Sequence, residues 1–422
     1  METEQSNHLR KQKLLILLCC LVYSFAYAGR YSYNANIAPI MDFYGVTRAE
    51  AGTVSTFFFF AYGAGQLANA VLCKFYNKKY IITGALLCSA VINTVLFFSP
   101  PFAAIKYLWL LNGICQSILW PALFSVLGEK LDEAMMKRAV LAMSLSILIG
   151  TFLAYGGSAL FNLGPGFRYS FLLGTVLTVV IGLTWFFFYR TLTAEKPVSF
   201  VGAAKPEHDA GTKRALTGAL IGLLVCCSAF AVVDNFVKDG LNTWTPVILK
   251  EQFGFGDSVS MVMTLVLPLF GVFGSIVALQ THRFLKDFRS MEGFFYLLLS
   301  VCLLGLGFSL RKNVVVPFLL LLGIISCLAH GINAVLTGIM PLEMREKINS
   351  GSLAGLMNAS CYIGSTASAY GLGKIADGAG WNTVITVLLI TSICATVLAG
   401  VVTTVGAVRK KVNASSGKGE IS

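Results

Sequence analysis

Two cations, Arg30 and Lys238, stand inside stretches otherwise apolar enough to lie in lipid. A charged side chain at membrane depth costs about 3 kcal/mol or more and persists mainly where it faces a polar cavity with a partner. Arg offers a planar, two-pronged donor for phosphate or carboxylate, whereas Lys is a movable point charge. Two such groups facing one central cavity suit a small anionic substrate. Arg30 has no acid within a helical turn of sequence. Lys238 has Asp234 one turn before it and Asp239 beside it, so a structural ion pair competes as its use. Snorkelling to an interface is the other plain use of either cation.

Polar and aromatic residues recur around these cations at helical spacing. Tyr23, Tyr27, Arg30 and Asn34 fall at i, i+4, i+7 and i+11 on one face, and Asn112, Gln116 and Trp120 form a second such face. Both faces suit a substrate path, although Tyr at a membrane boundary and Asn or Gln bonded between helices are commoner uses. His330, just before Asn333, suits either a substrate or proton contact or an interhelical hydrogen bond. The eleven cysteines lie in or beside apolar runs, with no C-x-x-C and no His/Cys cluster at metal spacing, so neither metal nor cofactor is expected.

The elements that must position these residues follow from composition. The 422 residues are 56% hydrophobic and 12% charged, against roughly 25% charged in soluble proteins. Apolar runs place helices near 14–40, 49–72, 80–99, 103–127, 138–162, 168–189, 215–248, 258–281, 291–310, 314–341, 349–374 and 381–408. The expectation is an all-α membrane protein of twelve transmembrane helices, with no room for a separate soluble enzyme. The hydrophilic stretch between the sixth and seventh helices divides it into a six-helix half at 1–190, a linker at 191–213 and a second half at 214–422. Arg10, Lys11, Lys13 and the Ala26-Tyr27-Ala28 triplet imitate a cleavable leader, but the segment reads as a retained first span.

The formal charge of +12 is mostly a topology signal. Of 32 Lys and Arg, 23 fall in the termini and alternate loops on the N-terminal side and 7 on the other, which puts both termini and the linker in the cytoplasm and argues against nucleic acid. The expected site is the plasma membrane, of bacterial inner-membrane type. Internal repetition supports two related halves. Ser146-x3-Gly150 with Ala154-Tyr155-Gly156 recurs as Ser360-x3-Gly364 with Ala369-Tyr370-Gly371, and Arg30 with Pro39 recurs as Lys238 with Pro246.

At these residues the chain resembles the organophosphate:phosphate antiporter family of the major facilitator superfamily. The resemblance runs from about Val22 to Val401. It is carried by Tyr23, Tyr27, Arg30, Asn34 and Pro39; by Ala61-Tyr62-Gly63; by Asn112-Gly113, Gln116 and Trp120-Pro121; by Lys238-Asp239-Gly240 with Trp244-Thr245-Pro246; and by Gly338, Leu342-Glu343, Gly364, Asp377 and Gly380-Trp381. The resemblance implies the major facilitator fold, with Arg30 and Lys238 as the phosphate-binding cations and Tyr23, Tyr27, Tyr62, Gln66, Gln116, Trp120, His330 and Asn333 around the substrate. Three basic groups of the family pocket are replaced here, by Tyr31, Gln66 and Ile147. His330 stands where a tyrosine is expected, Cys73 replaces an acid in the loop after helix 2, and Asp234 adds negative charge.

The implied function is exchange of a phosphate ester for phosphate by a monomer in the lipid bilayer. Two alternatives stay open. A proton-coupled carboxylate symporter would use Asp234 or Asp239 as the coupling group, with His330 and Glu343 as further proton carriers, and a transporter-like sensor would bind a sugar phosphate without moving it.

Overall fold

The computed structural model describes residues 2–193 and 218–416, and all of its regular secondary structure is helical. The expected linker, 191–213, lies outside the described residues apart from its first three positions.

Helix α1 (Glu2–Ala35) carries Arg30 and ends at Asn36, whose φ of −100° and ψ of 16° leave helical geometry. Helix α2 (Ile37–Tyr44) then holds Pro39 in its first turn, where a missing N–H removes no bond. Next come α3 (Arg48–Leu72), α4 (Lys78–Phe97), α5 (Phe102–Ser117) and α6 (Leu119–Lys130). The break at Ile118 precedes Pro121, which has no N–H to give the carbonyl of Ser117. Helices α7 (Glu133–Asn162) and α8 (Arg168–Thr193) complete the first six spans of the sequence reading.

Helix α9 (Gly218–Phe253) carries Asp234, Lys238 and Asp239, and continues through Pro246. That proline leaves the carbonyl of Asn242 without its helical donor, and the Tyr155 hydroxyl donates to it at 3.2 Å. The following apolar stretch is divided into α10 (Asp257–Thr264), α11 (Val266–Gly271) and α12 (Gly274–Phe284). After α13 (Phe288–Arg311), helix α14 (Val315–Ala334) runs through a π turn at Val335–Ile339 into α15 (Met340–Glu343). The last element, α16 (Ser350–Ser416), is two limbs meeting at Gly380, which has φ 75° and ψ 174°. Among the described residues, ten helical stretches are long and apolar enough to cross a membrane, and one of them, Ser350–Val405, contains both limbs. The count of twelve from sequence takes α3 and each limb separately.

Two compact units hold these helices. The first comprises the described residues within Met1–Lys213 together with Leu241–Leu269 and Ala369–Asp377; the second comprises those within Arg214–Gly240, Phe270–Ser368 and Gly378–Ser422. In the first unit α1 packs on α7 and α8, α3 on α5, and α4 on α8; in the second, α14 packs on α12 and α13.

The repeated Ser-x3-Gly segments do the same work in each unit. A Cβ on Gly150 of α7 would stand 2.4 Å from the carbonyl oxygen of Ser24 on α1. A Cβ on Gly364 of α16 would stand 2.0 Å from the carbonyl oxygen of Val232 on α9. Both glycines let the cation-bearing helix lie directly on its neighbour's backbone, the close approach that small residues permit in lipid. The pseudo-repeat seen in the sequence is therefore a repeated helix contact, and it sets where Arg30 and Lys238 stand.

Candidate functional site

In the first unit, Arg30 is 7% exposed and ringed by aromatic side chains. Its guanidinium carbon lies 4.4 Å from the ring centre of Tyr62, 4.8 Å from Phe58, 4.9 Å from Tyr27 and 5.6 Å from Tyr31. Two rings come from α1, Tyr27 one turn before the cation and Tyr31 beside it, and two from α3. Cation–π contact of this kind is worth about 0.5–2 kcal/mol per favourable ring. It draws on the positive charge of the guanidinium, whose N–H groups are the donors that a phosphate or carboxylate takes in pairs. Arg30, Tyr31, Asn34, Ser55, Phe58 and Trp109 line a small cavity here.

The aromatic face extends along α1. Tyr23 lies 4.9 Å from Tyr27 and 4.8 Å from Trp120, and Tyr27 stacks on Tyr31 at 5.4 Å. The predicted face of Tyr23, Tyr27 and Arg30 thus stays together, with Trp120 joined to it. Gln66 donates to the Tyr62 hydroxyl at 3.1 Å, which ties it to the ring nearest the cation. Asn34 accepts from Ser55 at 3.0 Å and donates to Thr243 at 3.2 Å. Gln116 is 3% exposed and donates to the Ala26 carbonyl at 3.3 Å and to Ser89 at 3.1 Å, bonding between helices.

In the second unit the surroundings of Lys238 are acidic and polar. Lys238 is half-buried, with Asp234 fully buried and Asp239 at 9% exposure on the same helix. Asp234, His330 and Cys361 all lie within electrostatic reach of the Lys238 ammonium. Asp239 accepts from the Ser365 hydroxyl, which in turn accepts from Asn235 at 3.3 Å. His330 Nδ1 lies 2.8 Å from the Ser326 carbonyl, so that nitrogen carries the donated proton. Asn333 donates to Cys361 Sγ at 3.3 Å.

A third set of charges lies in the first unit, where α2 ends and α3 begins. The N-terminus of α3 is closed by a capping box between Thr47 and Glu50. The backbone N–H groups of Arg48 and Ala49 donate to the two oxygens of Asp377 at 3.1 and 2.8 Å. The Arg48 guanidinium reaches Asp377 at 3.1 Å and Glu251 at 2.7 Å, while Lys250 pairs with Asp42 and, at 2.8 Å, with Asp257. A Cβ on Gly52 would stand 2.3 Å from the Ala369 carbonyl oxygen, and Trp244 Nε1 donates to that same oxygen at 3.2 Å. The segments 241–269 and 369–377 are therefore bonded into the first unit by charge, hydrogen bonds and backbone contact together.

The model of the Major Facilitator Superfamily matches residues 19–337. The chain belongs to the major facilitator superfamily. Among curated proteins, it is 21% identical to the membrane sensor protein UhpC of Escherichia coli (strain K12) over 391 residues, 87% of each chain. It is 22% identical to a probable hexose phosphate transport protein of Chlamydia pneumoniae, covering 85% of this chain and 84% of that one. It is 21% identical to sugar phosphate exchanger 3 of Mus musculus, covering 81% and 78%. These are proteins of the kind that the sequence resemblance named. Among solved structures, a bacterial homologue of the human lysosomal transporter Spinster, inward-facing and unoccupied, superposes with a TM-score of 0.73 at 13% identity, over 93% of this chain and 97% of that one. Family and fold are those of membrane transporters.

Against the superfamily fold, sequence reasoning missed three features. Phe58 lies in the run Phe57–Phe60, and its spacing of four from Tyr62 was the available signal. Glu292 is fully buried in α13, yet in the sequence it reads as the charge that bounds an apolar run. The Arg48, Glu251 and Asp377 contacts join segments more than 200 residues apart, and no local pattern announces them.

Proposed function

We propose that this protein is a secondary active transporter that exchanges a phosphate ester, a sugar phosphate by the names of its relatives, for inorganic phosphate by alternating access. The observation that carries this reading is Arg30, a buried guanidinium held by four aromatic rings on the helix where the family resemblance puts a phosphate-binding arginine. Ring contacts do not neutralise a guanidinium, so its positive charge remains to attract an anion. Lys238 supplies the second cation. Tyr23, Tyr27, Tyr62, Gln66, Trp120, His330 and Asn333 act by shaping the surroundings of these two, and Gln116 acts by fixing α5 against α1.

In this mechanism the anion neutralises both cations, and its binding energy is released as the halves rock about it. An empty carrier holds two like charges, which disfavours the closed intermediate and makes exchange the preferred cycle. Both termini lie in the cytoplasm of a plasma membrane, by the asymmetry of Lys and Arg. The test is uptake of labelled phosphate into proteoliposomes. Preloading with unlabelled phosphate is expected to raise the initial rate severalfold, whereas a pH gradient across phosphate-free vesicles is expected to do little. Equal uptake with and without internal phosphate would overturn exchange. A second reading, a sensor that binds a sugar phosphate without flux, is favoured by the UhpC relative; ligand-induced stabilisation of the purified protein with no uptake would select it.

A further inference from the structure

We propose that Tyr155 is a positioning residue for transport: its hydroxyl holds α9 at the hinge that Pro246 makes, and its ring ties that hinge to the aromatic cage of Arg30. Pro246 has no N–H, so the carbonyl of Asn242, one turn earlier, loses its helical donor. The hydroxyl of Tyr155, from α7, donates to that carbonyl at 3.2 Å, and the Tyr155 side chain is buried. A turn of the helix that carries Lys238 thus takes a bond from outside itself. A buried carbonyl left without a donor is costly, so this bond fixes α9 where Tyr155 stands.

Helix α9 is weak at this turn and gripped there. The Thr245 hydroxyl turns back to the Leu241 carbonyl at 2.7 Å, a bond that tends to bend helices. The boundary between the two compact units crosses α9 between Gly240 and Leu241, so Lys238 belongs to one and Pro246 to the other. A proline turn beside that boundary is where the helix changes angle at least cost. Both copies of the Ala-Tyr-Gly motif meet it: Tyr155 donates to the Asn242 carbonyl, and the Ala369 carbonyl accepts from Trp244 at 3.2 Å. The repeat therefore grips α9 about one turn beyond Lys238.

The other end of the link is the Tyr155 ring. It lies 6.4 Å from the ring of Tyr31, and the Tyr31 ring lies 5.6 Å from the guanidinium carbon of Arg30. One side chain touches the cage of the first cation and the backbone of the helix that bears the second. An anion that shifts the rings at Arg30 shifts the hydroxyl on which the Asn242 carbonyl depends, and a change of angle in α9 acts back on the cage. The connection to transport rests on the functional reading above, whereas the hinge stands on the bonds between α7 and α9.

The test is a cycle of Tyr155→Phe and Pro246→Ala in the purified full chain, read by hydrogen exchange of the backbone amides of 241–253. Tyr155→Phe keeps the ring beside Tyr31 and removes the donor, so exchange in that segment is expected to rise about fivefold or more. Pro246→Ala returns an N–H to the Asn242 carbonyl, so that Tyr155→Phe added to it is expected to change little. A packing role for Tyr155 gives the same increment in both backgrounds, and that result overturns the proposal. Amide exchange in Pro246→Ala alone is expected to be slower than in wild type; no slowing overturns the hinge even where Tyr155→Phe does not fold. The same variants are then compared in phosphate counterflow, where Tyr155→Phe is expected to slow exchange about fivefold or more and the double variant to match Pro246→Ala. The expected hinge with unaltered counterflow in Tyr155→Phe overturns the role in transport. The expected hinge in a wild-type chain that neither binds nor moves phosphate upholds the hinge and overturns the phosphate reading.

Discussion

The two cations occupy corresponding helices, each seated on its neighbour through a Ser-x3-Gly contact, yet their surroundings have diverged. Arg30 is held by the faces of Tyr27, Tyr31, Phe58 and Tyr62, while Lys238 stands among Asp234, Asp239 and His330. The difference teaches how one duplicated scaffold yields two kinds of positive charge. Rings orient a guanidinium and leave its charge intact. Acids make the charge of a lysine conditional on what else binds or titrates nearby. On the proposed function, the first unit would offer a fixed anion receptor and the second an adjustable one.

The sharpest way to break this contrast is Arg30→Lys. It keeps the charge but loses the planar pair of donors, so exchange is expected to fall by about 10- to 150-fold, the worth of roughly 1.5–3 kcal/mol in charged hydrogen bonds. Counterflow in proteoliposomes measures it, with thermal unfolding showing that the variant is folded. Near-normal exchange would remove Arg30 from the receptor role.

Lys238 should respond differently. Lys238→Arg is expected to keep much of the activity, whereas Lys238→Ala removes the cation one turn from Asp234 and is expected to lower both transport and stability. The neutral pair Asp234→Asn with Lys238→Gln is expected to recover about 1–3 kcal/mol of stability relative to Lys238→Ala, as coupled neighbours do in double-mutant cycles, without recovering exchange. If the neutral pair transports normally, Lys238 and Asp234 are a structural couple and the adjustable receptor is wrong.

The aromatic side of the comparison is sharpened by Tyr62→Leu, which removes the ring nearest Arg30. Loss of one cation–π contact should weaken exchange by about 0.5–2 kcal/mol, or roughly 2- to 30-fold, while Tyr62→Phe keeps most of it. Equal loss in the two variants would mean that the hydroxyl and its bond to Gln66 matter, and not the ring.

The smallest effect is expected at the charges around the start of α3. Arg48→Gln removes the guanidinium bonds to Glu251 and Asp377, a partly exposed pair of contacts worth about 1 kcal/mol together. Labelling of a cysteine introduced at Thr56 should rise a few-fold as the segments 241–269 and 369–377 part more readily from α3. Unchanged labelling would assign the hold to Trp244, Gly52 and the Ala369 carbonyl instead.

Much of this molecule was legible in its residues because lipid imposes a local rule. Every backbone polar group must be bonded within its own segment, so apolar runs of span length read as helices, and Lys or Arg inside them stands out at once. The membrane character follows from that rule, and so does the prominence of Arg30 and Lys238 inside apolar runs; the Ser-x3-Gly segments, which the sequence offered as a sign of duplication, make the same kind of helix contact in each unit.

What surrounds each cation was decided by tertiary structure. In lipid the faces of a helix differ little in hydropathy, so rotation and crossing come from packing of small residues and bonds between helices, and these are not written in any local period. Phe58 therefore joins Tyr62 over Arg30 without a sequence signal beyond its spacing, and Gln116 turns to Ala26 and Ser89. Glu292, which in the sequence looks like the edge of a span, is fully buried on α13. Only the packing of α13 against its neighbours, as where Tyr296 donates to the Phe230 carbonyl of α9, decides that this carboxyl is buried, and no window of sequence contains that long-range contact.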